Sequence, residues 1–160
     1  MELEAHKAYH EAGHAVVYVK CCGRFPEVTI RETKAGDGCC WMQFYRATAP
    51  CGIPLAERHE QLCIQLACHM AGRIGAMMAG IHPEDAFSAS LGDFVFERQC
   101  LELARALYPP SDCPTATEDA LGDMQARAHM RARTVLTEYT VQWLNLAHAL
   151  RQTGCLRGHE

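Results

Sequence analysis

The sequence predicts an α+β domain that is mostly α-helical. Long stretches carry apolar residues at three- and four-residue spacing. Only two short segments show the alternation of a strand. At 160 residues, 49% apolar and 21% charged, the chain has the size and balance of one globular domain with a real core.

The first helix is expected from about Leu3 to Lys20. Ala5, Ala8, Tyr9, Ala12, Val16 and Val19 mark one buried stripe. No proline interrupts it, and Cys21-Cys22-Gly23 gives a stop. Glu27 to Arg31 and Gly38 to Tyr45 read as strands joined by turn residues from Lys34 to Gly38, an antiparallel hairpin. Ala49 to Pro54 reads as a loop. A second helix follows from Leu55 to Ala79, with Leu62, Leu66, Met70, Ile74 and Met77 on its stripe. Gly80 to Gly92 is rich in Gly, Pro, Asp and Ser and reads as a loop. A third helix runs from Asp93 to Leu107, ended by Pro109-Pro110. From Thr115 to about Gln152 the chain forms a C-terminal helical region, with a break expected near Thr137.

The net charge of −4 and the lack of a basic stripe argue against nucleic acid as a partner. The acidic start, Met1-Glu2-Leu3-Glu4, does not resemble a signal peptide, and no apolar run has the length of a membrane span. Ten cysteines occur without any C-x-x-C spacing. They read as reduced thiols, several of them small core residues, in a cytoplasmic protein.

Chemistry concentrates in the first helix, where His10-Glu11-Ala12-Gly13-His14 spells H-E-x-x-H. Histidines four apart lie one above the other on a helix face, so their imidazoles can take two corners of a tetrahedral zinc site. Glu11, beside the first ligand, can reach a metal-bound water as general base. Gly13 costs the helix roughly 1 kcal/mol relative to alanine. Close approach of another backbone, a strand or the segment bearing a third ligand, would explain its presence. A catalytic zinc takes three protein ligands and keeps one position open. Asp93, at the expected start of the third helix, is the candidate third ligand; from position alone a helix cap is an equal explanation. Asp85 and Glu97 are rivals. His6 shares the histidine face, but three successive turns extend over about 12 Å, too far for one ion.

These residues resemble the peptidase domain of the FtsH-type, AAA-associated zinc metalloproteases, over most of the chain. Ala8 to Ala15 resembles that family's zinc helix nearly letter for letter. Val28-Thr29-Ile30, followed by Gly38 and Phe44, is similar to its first strands. Ala71-Gly72-Arg73-Ile74-Gly75-Ala76 is similar to its Gly-Gly-Arg-Ala-Ala-Glu segment, and Ala89-Ser90-Leu91-Gly92-Asp93 to its Gly-Ala-Ser-Asn-Asp. Glu102-Leu103-Ala104-Arg105 and the tail Leu156 to Glu160 have counterparts in the same order.

The resemblance implies a single zincin-like peptidase domain over residues 1–160, with His10, His14 and an aspartate as ligands to Zn2+ and Glu11 as catalytic base. Asp93 fits the aspartate, although counting back from Glu102 puts the family's position near Phe96, one turn later. Nothing resembles G-x-x-x-x-G-K-[ST], so the implied protein has the chemistry without the ATPase module or the membrane anchor. Peptides or unfolded protein would be its substrates, with a separate ATPase or a homo-oligomer as the partnership open to it. An extended peptide could add as a strand along Gly38 to Tyr45. The alternative is a non-catalytic relative that binds peptides or protein partners; the intact Glu11 weighs against it.

Overall fold

The computed structural model describes residues 2–24, 27–33, 36–42, 53–88, 90–107 and 114–157. Its elements in chain order are α1 (Glu2–Cys22), β1 (Glu27–Thr33), β2 (Gly36–Trp41), α2 (Leu55–Met78), α3 (Pro83–Ser88), α4 (Leu91–Leu107), α5 (Pro114–Glu138), α6 (Thr140–Thr153) and β3 (Cys155–Leu156). The mostly helical α+β class is as expected. Residues 43–45 of the expected second strand, most of the loop before α2, Pro109-Pro110 and the last three residues of the tail lie outside the described residues.

α1 is the axis of the fold. The sequence suggests one buried stripe, but every residue from His10 to Tyr18 is buried. The reason is that α1 is covered on all sides, by α2, α5, α6 and the sheet. Its alanines, Ala8, Ala12 and Ala15, let those neighbours come close. α2 buries its expected stripe of Leu62, Leu66, Met70 and Ile74, and α5 adds Leu121, Met124, Ala128, Ala132 and Leu136. From α6, Trp143 packs against Tyr9 with ring centroids 5.8 Å apart, and its indole N–H donates to the Tyr9 carbonyl at 3.1 Å.

β1 and β2 form the expected antiparallel hairpin, with a register irregularity between Thr29 and Glu32. Thr33 opposes Gly36, so Gly36 to Gly38 belong to the strand rather than the turn. β3 was not foreseen. Its two residues pair antiparallel with Val28 and Thr29, giving the order β2-β1-β3 and leaving β2 an outer strand.

Three helix boundaries differ from expectation. The segment read as a loop contains α3, which Pro83 starts with its preset φ and whose first turn holds Glu84 and Asp85. α4 begins at Leu91, so Asp93 lies inside its first turn and is not the cap. The break in the C-terminal region falls at Tyr139, two residues later than expected. There the Thr140 hydroxyl donates to the carbonyls of Leu136 and Thr137, competing with the backbone ladder. Among the described residues no helix is long and apolar enough to cross a membrane.

Candidate metal centre

Three helices supply the site. α1 contributes His10, Glu11 and His14, α4 contributes Asp93, and α2 closes the space with its backbone. Gly13 lies so close to α2 that an added Cβ would sit 2.6 Å from the Ala71 carbonyl oxygen. The close neighbour is therefore a helix, neither a strand nor the segment bearing Asp93. One residue along α2, Gly72 faces the imidazoles themselves: a Cβ there would overlap Nε2 of His14 and lie 2.6 Å from Nε2 of His10.

Into that space converge three ligand-type atoms. Oδ2 of Asp93 lies 3.0 Å from Nε2 of His10 and 3.2 Å from Nε2 of His14. The two Nε2 atoms are 3.0 Å apart, with the rings edge to face. Ligands ~2.0–2.1 Å from a tetrahedral zinc are about 3.3 Å from one another, so this triangle is close to zinc-sized. Two imidazole nitrogens and a carboxylate oxygen are also a donor set that zinc takes. Among the described residues this is the only such group of three. The ring of His14 is fixed from behind, because Nδ1 donates to the Cys68 carbonyl at 2.7 Å. That bond leaves Nε2 as the nitrogen facing the triangle.

The rivals for the third position lie elsewhere. Glu97, one turn beyond Asp93, pairs with Arg73 of α2 at 3.1 Å. Arg73 also stacks over the Phe94 ring, 4.6 Å from its centroid. Asp85 is exposed on α3, and His6 is half-buried outside the group. Phe96, near which the family's aspartate would fall, instead stacks on His69 at 5.1 Å.

Burial dominates the electrostatics. It disfavours charge on His14, yet the Asp93 carboxylate overrides it and pushes His14 up to about 9. It lowers His10, with the Asp93 hydrogen bond offsetting only part of the effect. Burial would raise Asp93 as well, but the two histidines hold it well below the usual carboxylate range. Asp93 and His14 thus favour each other's charged forms, whereas burial disfavours charge on His10. Burial lifts Glu11 to about 8, and its Oε2 has no hydrogen-bond partner in the described structure. A buried carboxyl oxygen without a partner, one residue from a zinc-sized triangle, fits a site built around an ion and its water.

Two of the residues missed in the sequence act through backbone. Cys68 contributes only its carbonyl, which no residue type signals. Gly72 entered only as part of the Ala71-to-Ala76 segment of the resemblance, with nothing to say that it would face the imidazoles. Arg73 gave no signal that it would occupy Glu97. No protein-family model matches the chain, and no curated protein matches it.

Proposed function

We propose that this chain is a zinc-dependent metallopeptidase, of the kind its resemblance to FtsH-type peptidase domains implies. The observation that carries the reading is the convergence of His10 Nε2, His14 Nε2 and Asp93 Oδ2 within 3.2 Å of one another, beside a buried Glu11.

His10 and His14 would hold zinc from α1 and Asp93 from α4. Bound zinc supplies a Lewis acid that polarises the scissile carbonyl and lowers the pKa of water toward ~7. The Cys68 carbonyl keeps His14 in the required tautomer. Glu11 accepts a proton from the attacking water and later delivers it to the leaving amine. Bound zinc would favour the ionised carboxyl and draw Glu11 below the value of about 8 that burial gives it without metal, leaving it able to accept the proton. Asp93 is the most exposed of the three triangle residues, its side chain 16% accessible, so substrate would approach from the α4 side. An extended peptide could pair with the outer edge of β2, which no other described strand occupies. Peptides and unfolded segments are the substrates that the resemblance implies.

The test is metal content. Protein purified without chelator should carry close to one zinc per chain, and His10→Ala or His14→Ala should lose most of it. Full zinc occupancy in the double variant would overturn the reading.

A further inference from the structure

The chain from α3 into the first turns of α4 exposes large apolar side chains close together in sequence. Phe87, Leu91, Val95 and Phe96 are each more than half accessible. The ring of Phe87 meets that of Phe94 with centroids 4.4 Å apart, which joins the two helices. The charged side chains just beyond are paired, Glu97 with Arg73 at 3.1 Å and Arg98 with Glu102 at 2.9 Å. Apolar side chains gathered in this way mark a binding surface, whereas single ones scattered over a protein need no explanation.

Phe96 ties that surface to the candidate metal centre by two routes. On α4 it follows Asp93 by three residues, one turn along and on the adjoining part of the same face. Its ring stacks on His69 of α2, with centroids 5.1 Å apart and planes only 9° from parallel. His69 in turn precedes by three residues Gly72, the residue that faces the two Nε2 atoms. The stack therefore bridges α2 and α4 one turn from the triangle. His69 is buried and backs the ring from the protein side, while Phe96 keeps 51% of its surface accessible.

We propose that Phe96, held from behind by His69, receives an aromatic side chain of the substrate. Peptides with Phe, Tyr or Trp next to the bond to be cut are then the preferred class. The inference rests on the metallopeptidase reading. Asp93 is the most accessible residue of the triangle, so a bound peptide passes over the start of α4. Neighbouring Cα atoms of a peptide are about 3.8 Å apart, and one helical turn rises about 5.4 Å. A peptide with its carbonyl at the ion thus brings the side chain of an adjoining residue over the ring one turn on. An aromatic ring there gains an offset or edge-to-face contact beyond the area it buries. That contact gives roughly a 2- to 10-fold preference over an aliphatic side chain of similar size. A charged side chain would lose its hydration against the same ring.

The probes are the hydroxamates of phenylalanine, leucine and alanine, whose hydroxamate group ligates zinc and fixes where the side chain falls. Binding to the zinc-loaded full chain would be measured by isothermal titration calorimetry, which needs no hydrolysis. Phenylalanine hydroxamate should bind roughly 2- to 10-fold more tightly than the leucine compound, and the alanine compound most weakly. Phe96→Leu, with its fold checked by circular dichroism, should erase the aromatic advantage. It should leave zinc content and alanine hydroxamate affinity near wild type, and Phe96→Tyr should keep the preference. Zinc-dependent binding of all three compounds with no aromatic advantage, or an advantage that survives in Phe96→Leu, would overturn this inference and leave the metal reading standing. Failure of all three to bind would overturn both. Self-association of the wild type that Phe96→Leu abolishes would assign the face to a second copy of the chain and overturn the inference as well.

Discussion

Gly72 of α2 stands directly against His14 of α1, where a single methyl group would overlap the imidazole Nε2. The obstructed atoms are the ends of the His14 and His10 side chains, which can swing aside without moving a helix. Gly72→Ala should therefore keep the fold, and alanine's higher helix propensity offsets part of any strain. Zinc affinity should fall by about 10–100-fold or more, the scale seen when ligand orientation is disturbed. Competition with a chromophoric chelator measures it, and unchanged affinity would contradict the placement of the ion beside Gly72.

Gly13 makes the opposite case, because its neighbour is backbone. In Gly13→Ala the new Cβ would lie 2.6 Å from the Ala71 carbonyl oxygen, so α1 and α2 must separate. Overpacking of this kind costs about 1–3 kcal/mol, which should exceed the ~1 kcal/mol that alanine contributes to helix formation. The urea midpoint should fall. A midpoint equal to or above wild type would show that the helices are not in contact there.

Asp93 and Glu97 separate the ligand from the structural ion pair. Asp93→Asn removes the triangle's only charge-bearing oxygens and should strip zinc while far-UV circular dichroism stays near wild type. Glu97→Gln should leave zinc binding nearly unchanged but destabilise the chain by about 1–3 kcal/mol, since Arg73 and Glu97 are both largely buried. Loss of zinc in Glu97→Gln, with retention in Asp93→Asn, would transfer the ligand role to Glu97.

What the sequence made legible follows from what each feature depends on. His10, Glu11 and His14 are readable because their relation is set by helix geometry alone. Asp93 could only be narrowed to a short set, since no local pattern says which face of α4 meets α1. α3 escaped notice because proline, aspartate and serine serve a short helix as well as a loop. β3 is too short to show alternation, and it exists only because β1 offers it an edge. The complete burial of α1 was hidden because its close neighbours are admitted by alanines, which carry a weak apolar signal.

Glu11 gives a pH test in metal-free protein, with chelator present. Its folded pKa of about 8 stands above the ordinary 4.5, so the native state holds a proton that the unfolded chain releases. The stabilising contribution is complete below the unfolded value and is lost as pH rises through the folded one. Other groups titrate in the same window, His14 among them, so the readout is wild type relative to Glu11→Gln. The stability difference should move against wild type between about pH 5 and 8, by on the order of 1 kcal/mol per pH unit. A difference constant over that range would show that Glu11 is not held protonated by burial.

The most direct test of the account is peptide hydrolysis by wild type and Glu11→Gln at equal zinc content. Glutamine keeps the shape of the side chain but cannot carry the proton, so both proteins should bind zinc alike. Wild type should cleave an unfolded substrate such as casein, with cleavage abolished by chelator and restored by zinc, and Glu11→Gln should be inactive. Cleavage by Glu11→Gln at the wild-type rate, or a zinc-loaded wild type with no hydrolysis of any peptide offered, would contradict the metallopeptidase reading.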